Sequence, residues 1–223
     1  MRSRIAQMDF SHTKISLGRP FSDYSKIRAL YGHILRGRKF QLRRIKEQQY
    51  LNVGCGPKLL HSFVNLDYLW VPGIDLCWDV TEGIPLADHS LQGIYSEHCL
   101  EHLEKSVAKE VLRDFSRLLK PTGTVRIVVP DAELYIDLYV RARNGEAVNF
   151  PYVEGKCLPI DPLNRIFRDH GHLYAYDFCS MREMILSAGF SSVTKTSFMH
   201  GRDLKLLVDS PERAIESLYV EAW

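Results

Sequence analysis

No Cys-x-x-Cys pair occurs in this 223-residue chain, and its five cysteines (Cys55, Cys77, Cys99, Cys157 and Cys179) are odd in number and widely spaced. That pattern fits a reducing compartment better than a zinc knuckle or a disulfide framework. Long apolar runs are missing too: none approaches the roughly 18 residues that span a bilayer. The opening MRSRIAQMDFSHTK has charge but no apolar stretch, so no secretory signal is expected and the placement is cytoplasmic. Internal repeats and low-complexity tracts are absent as well. What is present, 45% apolar and 25% charged residues with 14 Gly and 10 Pro, is the composition of a folded domain of ordinary size.

Acidic residues are scarce at the start. Residues 1–46 hold twelve Lys/Arg against Asp9 and Asp23, and no acid lies between Tyr24 and Lys46. This segment carries +10, whereas the rest of the chain carries −8. Within it Ile27, Leu30, Tyr31, Ile34 and Leu35 recur at helical spacing, with Lys26, Arg28, Arg36 and Arg38 off that stripe. Two readings follow: a helix capping the main domain with a solvated basic face, or a surface for anionic lipid, a phosphorylated acceptor or nucleic acid. No basic ladder interleaved with aromatics accompanies it, which disfavours nucleic acid. The expected division is a basic helical extension over 1–46 and a main domain over 47–223.

From residue 50 short apolar runs alternate with helical stretches. Strands are predicted at 50–53, 63–67, 74–78, 93–96 and 124–129, with a closing pair at 193–198 and 204–208. Helices are predicted at 106–120, 132–143 and 177–188, with Asp177 as cap of the third, and a last one from Ser210-Pro211. Residues 145–176 lack periodicity and read as a long functional loop. Alternating strands and helices imply an α/β fold with a mostly parallel sheet covered on both faces. Ligands of such sheets bind beyond the carboxyl ends of the strands, where strand order reverses.

After the first strand comes LNVGCGPK at 51–58. Glycines 54 and 56 let the backbone turn sharply and approach a ligand closely. Leu59 stands where a dinucleotide fingerprint needs its third glycine, and no GxxxxGK[ST] is present, so NAD and a P-loop are both disfavoured. The second strand ends at Asp67, whose carboxylate can accept hydrogen bonds from both hydroxyls of a ribose. The third ends at Asp79, which can accept from an adenine amino group while Val80 offers a backbone N–H to the ring. Each acid is equally open to a turn or capping role.

LNVGCG at 51–56, Asp67, Asp79, IPLADHSLQGIYSEHCLEHL at 84–103, RLLKPTGTVRIVVPD at 117–131 and MILSAGF at 184–190 together resemble the class I S-adenosylmethionine-dependent methyltransferases. The resemblance covers roughly residues 50–210. It implies a Rossmann-like, seven-stranded, mostly parallel sheet with one antiparallel strand near the C-terminus. The Gly54/Gly56 turn would face the methionine part of S-adenosylmethionine, Asp67 the ribose and Asp79 the adenine. Cys55, Tyr68, Val80 and Glu97 join these as candidate cofactor residues. Lys58 occupies the place of the family's usual third glycine and can itself pair with the methionine carboxylate.

Two histidine clusters follow. His98-Cys99-Leu100-Glu101-His102 matches HxxEH, which on a helix sets two zinc ligands a turn apart, although no third ligand is nominated and the resemblance accounts for the same letters. His98 follows the strand whose end, in this family, faces the methyl-bearing sulfur, so it is a candidate general base. The second cluster, His170-Gly171-His172, puts two imidazoles on one side of an extended strand, and His172 is a second candidate base. The expected activity is methyl transfer to an oxygen of a small molecule or sugar, with no metal assigned. Two rivals stand beside it: a metal-dependent enzyme using His98/His102 and His170/His172, and a non-catalytic adaptor that meets anionic membrane through its basic segment.

Overall fold

The computed structural model describes residues 23–45, 49–155 and 157–223. Strands β1 (Tyr50–Val53), β2 (Val64–Asp67), β3 (Leu76–Cys77), β4 (Leu91–Glu97), β5 (Leu119–Pro130), β6 (Val193–Thr196) and β7 (Ser217–Ala222) form one seven-stranded sheet in the order β3-β2-β1-β4-β5-β7-β6. The first five pair in parallel, and β7 runs antiparallel to both β5 and β6. Strand order reverses at β1, which lies between β2 and β4. The cleft there opens at the carboxyl ends of β1 and β4.

Apolar side chains sort the sheet into two faces by strand alternation. Leu51, Val53, Ile94, Ile127, Val129 and Val220 pack with one another and with α2 (Lys105–Leu118) and α5 (Phe178–Ser187). The intervening Tyr50, Tyr95, Val128 and Tyr219 meet Leu206 in a second cluster. A third cluster joins α3 (Ala132–Arg143) to α4 (Ile160–Arg168) through Tyr135, Leu138, Leu163 and Ile166. α2 forms because Ala108, Val111, Leu112, Phe115 and Leu118 make one buried stripe. The Asp131 carboxylate accepts from the N–H groups of Glu133 and Leu134 and caps α3. Asp177 and Ser180 cap α5 reciprocally.

α1 (Asp23–Leu35) is shorter than the basic segment and ends at Arg36-Gly37, where Gly37 takes a left-handed φ of 74°. Its stripe is not a core face: Leu30, Tyr31 and Ile34 are 58%, 47% and 50% exposed. What docks the helix is Tyr31 stacked on Trp70, centroids 4.8 Å apart, and Arg36 over the Tyr68 ring at 3.5 Å. Just beyond, Gln41 is buried against the edge strand. Its Oε1 accepts the Cys77 N–H at 2.9 Å, and its Nε2 donates to Leu35 O at 2.7 Å and Arg38 O at 3.0 Å. Residues 1–22 of the basic segment lie outside the described residues.

The C-terminal third differs from expectation. Residues 204–208 are no strand: Leu204–Leu206 is a 3-10 turn capped by the Asp203 carboxylate on the Lys205 N–H. Ser210-Pro211 opens only a short 3-10 turn, Pro211–Arg213, and the chain then enters β7. β7 escapes a periodicity reading because it is buried on both faces and carries Glu221 inside. The 145–176 segment is not all loop, since it contains α4 with Pro159 as its cap. Arg126, with no exposed surface, holds the returning chain down. It donates to Asp209 at 2.7 and 2.6 Å, to Glu221 at 3.0 Å, and to the carbonyls of His200 and Ser197 at 2.9 Å each.

Candidate active site

The turn after β1 is built by two left-handed glycines with φ of 67° at Gly54 and 50° at Gly56. They serve different ends. A Cβ on Gly54 would lie 2.6 Å from the Cys99 Cβ, so this glycine lets the loops after β1 and β4 touch. A Cβ on Gly56 would meet nothing within 4 Å, so its α-carbon faces open space where a ligand can approach. Behind the turn, Asn52 Nδ2 donates to Lys58 O at 2.9 Å and to Asn65 Oδ1 at 3.1 Å, tying the loop to β1 and β2.

Asp67, at the end of β2, accepts the Gly56 N–H at 2.8 Å and the Leu69 N–H at 2.7 Å. Burial pushes its carboxyl up, and these two donors offset only part of that. A buried, partly satisfied carboxylate beside a glycine turn is poised to accept further hydroxyl donors. Tyr68 presents its ring to Arg36. Asp79 accepts from the Thr81 N–H at 3.0 Å and Thr81 Oγ1 at 2.7 Å and so caps the 3-10 turn that begins at Val80.

A cavity of about 600 Å³ opens at the carboxyl ends of β1 and β4. Gly54, Cys55, Gly56, Glu97 and His98 line it, and Ser210 and Arg213 close it from the C-terminal side. Asp67, Asp79, Val80 and His172 are not among its lining residues. Glu97 is held by Lys58 Nζ at 3.0 Å, the Ser210 N–H at 2.8 Å and Ser210 Oγ at 2.5 Å. Burial alone would raise its carboxyl, but the hydrogen bonds from Ser210 and Lys58 outweigh that and hold it below the ordinary carboxylate value. Lys58 is thus engaged with Glu97, the Val208 carbonyl and Ser210.

His98 adopts a left-handed φ of 49°, and its N–H donates to Val128 O at 2.8 Å. The ring stands between two groups: Nε2 lies 2.9 Å from Ser217 Oγ, and Nδ1 lies 3.3 Å from Glu101 Oε1. The left-handed residue breaks any helix through HxxEH, so His98 and His102 do not share a helical face. Leu100–His102 is only a 3-10 turn. Burial holds the His102 imidazole below its ordinary value. His170 also takes a left-handed φ, 60°, inside a 3-10 turn, so His170 and His172 do not flank an extended strand. Cys99, half-buried after β4, is pushed up to about 12 by desolvation and stays a thiol.

Sequence reasoning placed the glycine turn, Glu97 and His98 together, and the structure does bring them to one cavity. It missed Ser210, Arg213 and Ser217. Ser210 reaches Glu97 across 113 positions and Ser217 reaches His98 across 119, so no local signal could have found them.

A family model described as a methyltransferase domain matches residues 57–127, from the glycine turn through β2, β3, β4 and α2 into β5. The match spans 71 of the 223 residues and marks that stretch as a methyltransferase domain, and the mostly parallel seven-stranded sheet with its antiparallel β7 is the one that the resemblance to class I S-adenosylmethionine-dependent methyltransferases implies. S-Adenosylmethionine is the methyl donor that this class uses, and the open face of Gly56 and the Asp67 carboxylate are compatible with it. Comparison with curated proteins gives no match. Among solved structures, an S-adenosylmethionine-dependent methyltransferase from Archaeoglobus fulgidus is 15% identical, with 90% of this chain and 99% of that chain covered and a TM-score of 0.48. One from Thermotoga maritima, described as a possible histamine N-methyltransferase, is 13% identical, with 90% and 95% covered and a TM-score of 0.48. The 1,6-didemethyltoxoflavin-N1-methyltransferase of Burkholderia thailandensis is 15% identical, with 92% and 81% covered and a TM-score of 0.45.

Proposed function

We propose that this methyltransferase acts on a hydroxyl of a small molecule or sugar and that His98 is its general base. The observation that carries the proposal is the setting of His98, on the wall of the cavity with a carboxylate at one ring nitrogen and a hydroxyl at the other. With Nδ1 3.3 Å from the Glu101 carboxylate, the charge itself, without an aligned hydrogen bond, favours the neutral tautomer protonated there and leaves the Nε2 lone pair for an O–H donor. Ser217 Oγ holds that lone pair now, and an acceptor hydroxyl entering the cavity takes its place.

In this proposal Gly54, Cys55, Gly56 and Glu97 hold the methionine part of the cofactor, Asp67 and Tyr68 the ribose, and Asp79 and Val80 the adenine. When bound, the cofactor supplies a sulfonium methyl group open to in-line displacement. The acceptor oxygen forms its bond to that carbon as the carbon–sulfur bond breaks, and the hydroxyl proton passes to His98 Nε2. A cavity of this size suits a compact acceptor rather than a macromolecule. The 145–176 segment reaches its rim, where the Tyr152 hydroxyl donates to the carbonyl of Glu212, a lining residue.

The test is methyl transfer from labelled S-adenosylmethionine to a panel of hydroxylated and amino acceptors, run beside S-adenosylhomocysteine calorimetry. The proposal expects micromolar binding of S-adenosylhomocysteine and label on oxygen. Label found only on nitrogen would overturn the choice of acceptor atom and leave the cofactor site standing.

A further inference from the structure

The turn after β4 and the segment ahead of α5 bring Glu101, His102 and His172 together, and one ligand atom from each lies within 4.8 Å of the other two. The two imidazoles meet edge to face, with centroids 5.1 Å apart and planes at 74°. Glu101 is only 1% exposed, yet neither carboxylate oxygen has a hydrogen-bond donor among the described residues. Its nearest cation-forming neighbour, His98 Nδ1, is 3.3 Å away but too poorly aligned for a hydrogen bond. A buried carboxylate in that condition needs a positive partner.

His172 supplies a second, independent sign. Its Nδ1 lies 2.7 Å from the Ile166 carbonyl. A carbonyl only accepts, so Nδ1 carries the proton and the neutral ring offers a bare Nε2. An imidazole whose outer nitrogen is fixed by a backbone carbonyl has the arrangement usual around metal-bound histidine. We propose that Glu101, His102 and His172 bind a divalent first-row transition ion, zinc above all. Two imidazoles and one carboxylate form a donor set that zinc and ferrous iron both take, with a remaining position open to water. Donors on one such ion sit closer together than the present limit of 4.8 Å, so the three side chains close by about 1 Å on binding.

The ion would act as a staple. Glu101 O already accepts the N–H groups of Leu173 and Tyr174 at 2.7 and 3.2 Å, joining the loop that carries His98 to the segment leading into α5. Metal ligation completes that joint with side chains and fixes the carboxylate that faces His98. None of the three ligands lines the cavity of about 600 Å³, although His102 lies near enough to Asp67 to act on its carboxyl electrostatically, and the site's existence does not depend on which acceptor is methylated.

The experiment uses the full chain carrying Cys157→Ser and Cys179→Ser, because those two thiols are exposed and can bind metal on their own. Metal content after dialysis against zinc is read by mass spectrometry, and cobalt(II) titration is read by visible absorption. The expected result is one zinc per chain and a ligand-field band from bound cobalt, with both lost in His102→Ala and His172→Ala. S-Adenosylhomocysteine calorimetry and circular dichroism on the same samples report folding and the cofactor site separately. A folded parent that binds neither ion, or a folded His172→Ala that retains a full equivalent with affinity within about threefold, would overturn the site.

Discussion

Arg126 and Asp209 face each other through two hydrogen bonds of 2.7 and 2.6 Å with neither side chain exposed. The pair fixes more than the core. Asp209 precedes Ser210, whose N–H and hydroxyl hold Glu97, so one buried contact sets the C-terminal wall of the cavity. Removing Asp209 takes away two charge-assisted hydrogen bonds and leaves Glu221 as the one carboxylate paired with the buried Arg126, which should cost about 3 kcal/mol. Asp209→Ala should therefore lower the urea midpoint sharply. In whatever folded fraction remains, S-adenosylhomocysteine affinity should fall as well. Unchanged denaturation would show that the carboxylate is dispensable.

Gly54→Ala and Gly56→Ala should separate fold from ligand. Alanine at 54 drives its Cβ into Cys99 in a left-handed conformation and should cost about 1–3 kcal/mol of stability. At position 56 the Cβ meets no protein atom, so the loss should stay near 1 kcal/mol, from backbone strain alone. Cofactor affinity should nevertheless fall at least tenfold there, because the methyl group occupies the ligand's approach. Paired thermal denaturation and calorimetry would read the two effects.

Acid should weaken the protein in a defined window. His102 titrates below its ordinary 6.5 in the fold, so the unfolded chain takes up the proton first. Its contribution is complete above about pH 6.5 and is lost as the pH falls toward the lowered folded value. Glu97, also lowered, adds a further loss below its ordinary 4.5. Asp67, raised, acts in the opposite sense: protonation relieves its burial, so its contribution is present at low pH and lost as the pH rises through its folded value. A melting-temperature series from pH 8 to 5 should be flat, then fall, and His102→Gln should remove the fall between 6.5 and 5.5.

His98→Asn is the informative substitution at the proposed base, because asparagine tolerates the left-handed conformation that residue 98 adopts. The turnover number should drop about a hundredfold while S-adenosylhomocysteine affinity stays within about threefold. Glu101→Gln should give a smaller drop and shift the pH–rate profile, as expected of a residue that positions His98. Retained turnover in His98→Asn would remove the base assignment.

These residues also show where sequence reading reaches and where it stops. α2 and α3 were legible because each buries one face and breaks at a turn, and α3 opens on a capping aspartate that the helix requires. The glycine turn and Asp67 were legible because their chemistry is local to the ends of adjacent strands. β7 was not: its periodicity is erased by burial on both faces, and the charge of Glu221 makes sense only beside Arg126, 95 positions earlier. α4 was hidden by Pro159 at its cap and Pro162 inside its nine residues. The capping role of Asp79, visible in its bonds to Thr81, was one of two readings the sequence left open.

Gln41 carries a consequence for how this protein behaves in solution. β3 is an edge strand of two residues, and the Gln41 amide occupies backbone groups of Cys77 that an incoming strand would otherwise pair with. That side chain, together with the Gly37 N–H on the Cys77 carbonyl at 3.3 Å, shields this edge of the sheet from self-association, the office that edge lysines and prolines hold elsewhere. Truncation of the basic segment through residue 46 would strip that shield together with the charge, and the product should aggregate whatever the segment binds. Reversing charges at Arg28 and Arg38, with Gln41 kept, isolates electrostatics from colloidal failure.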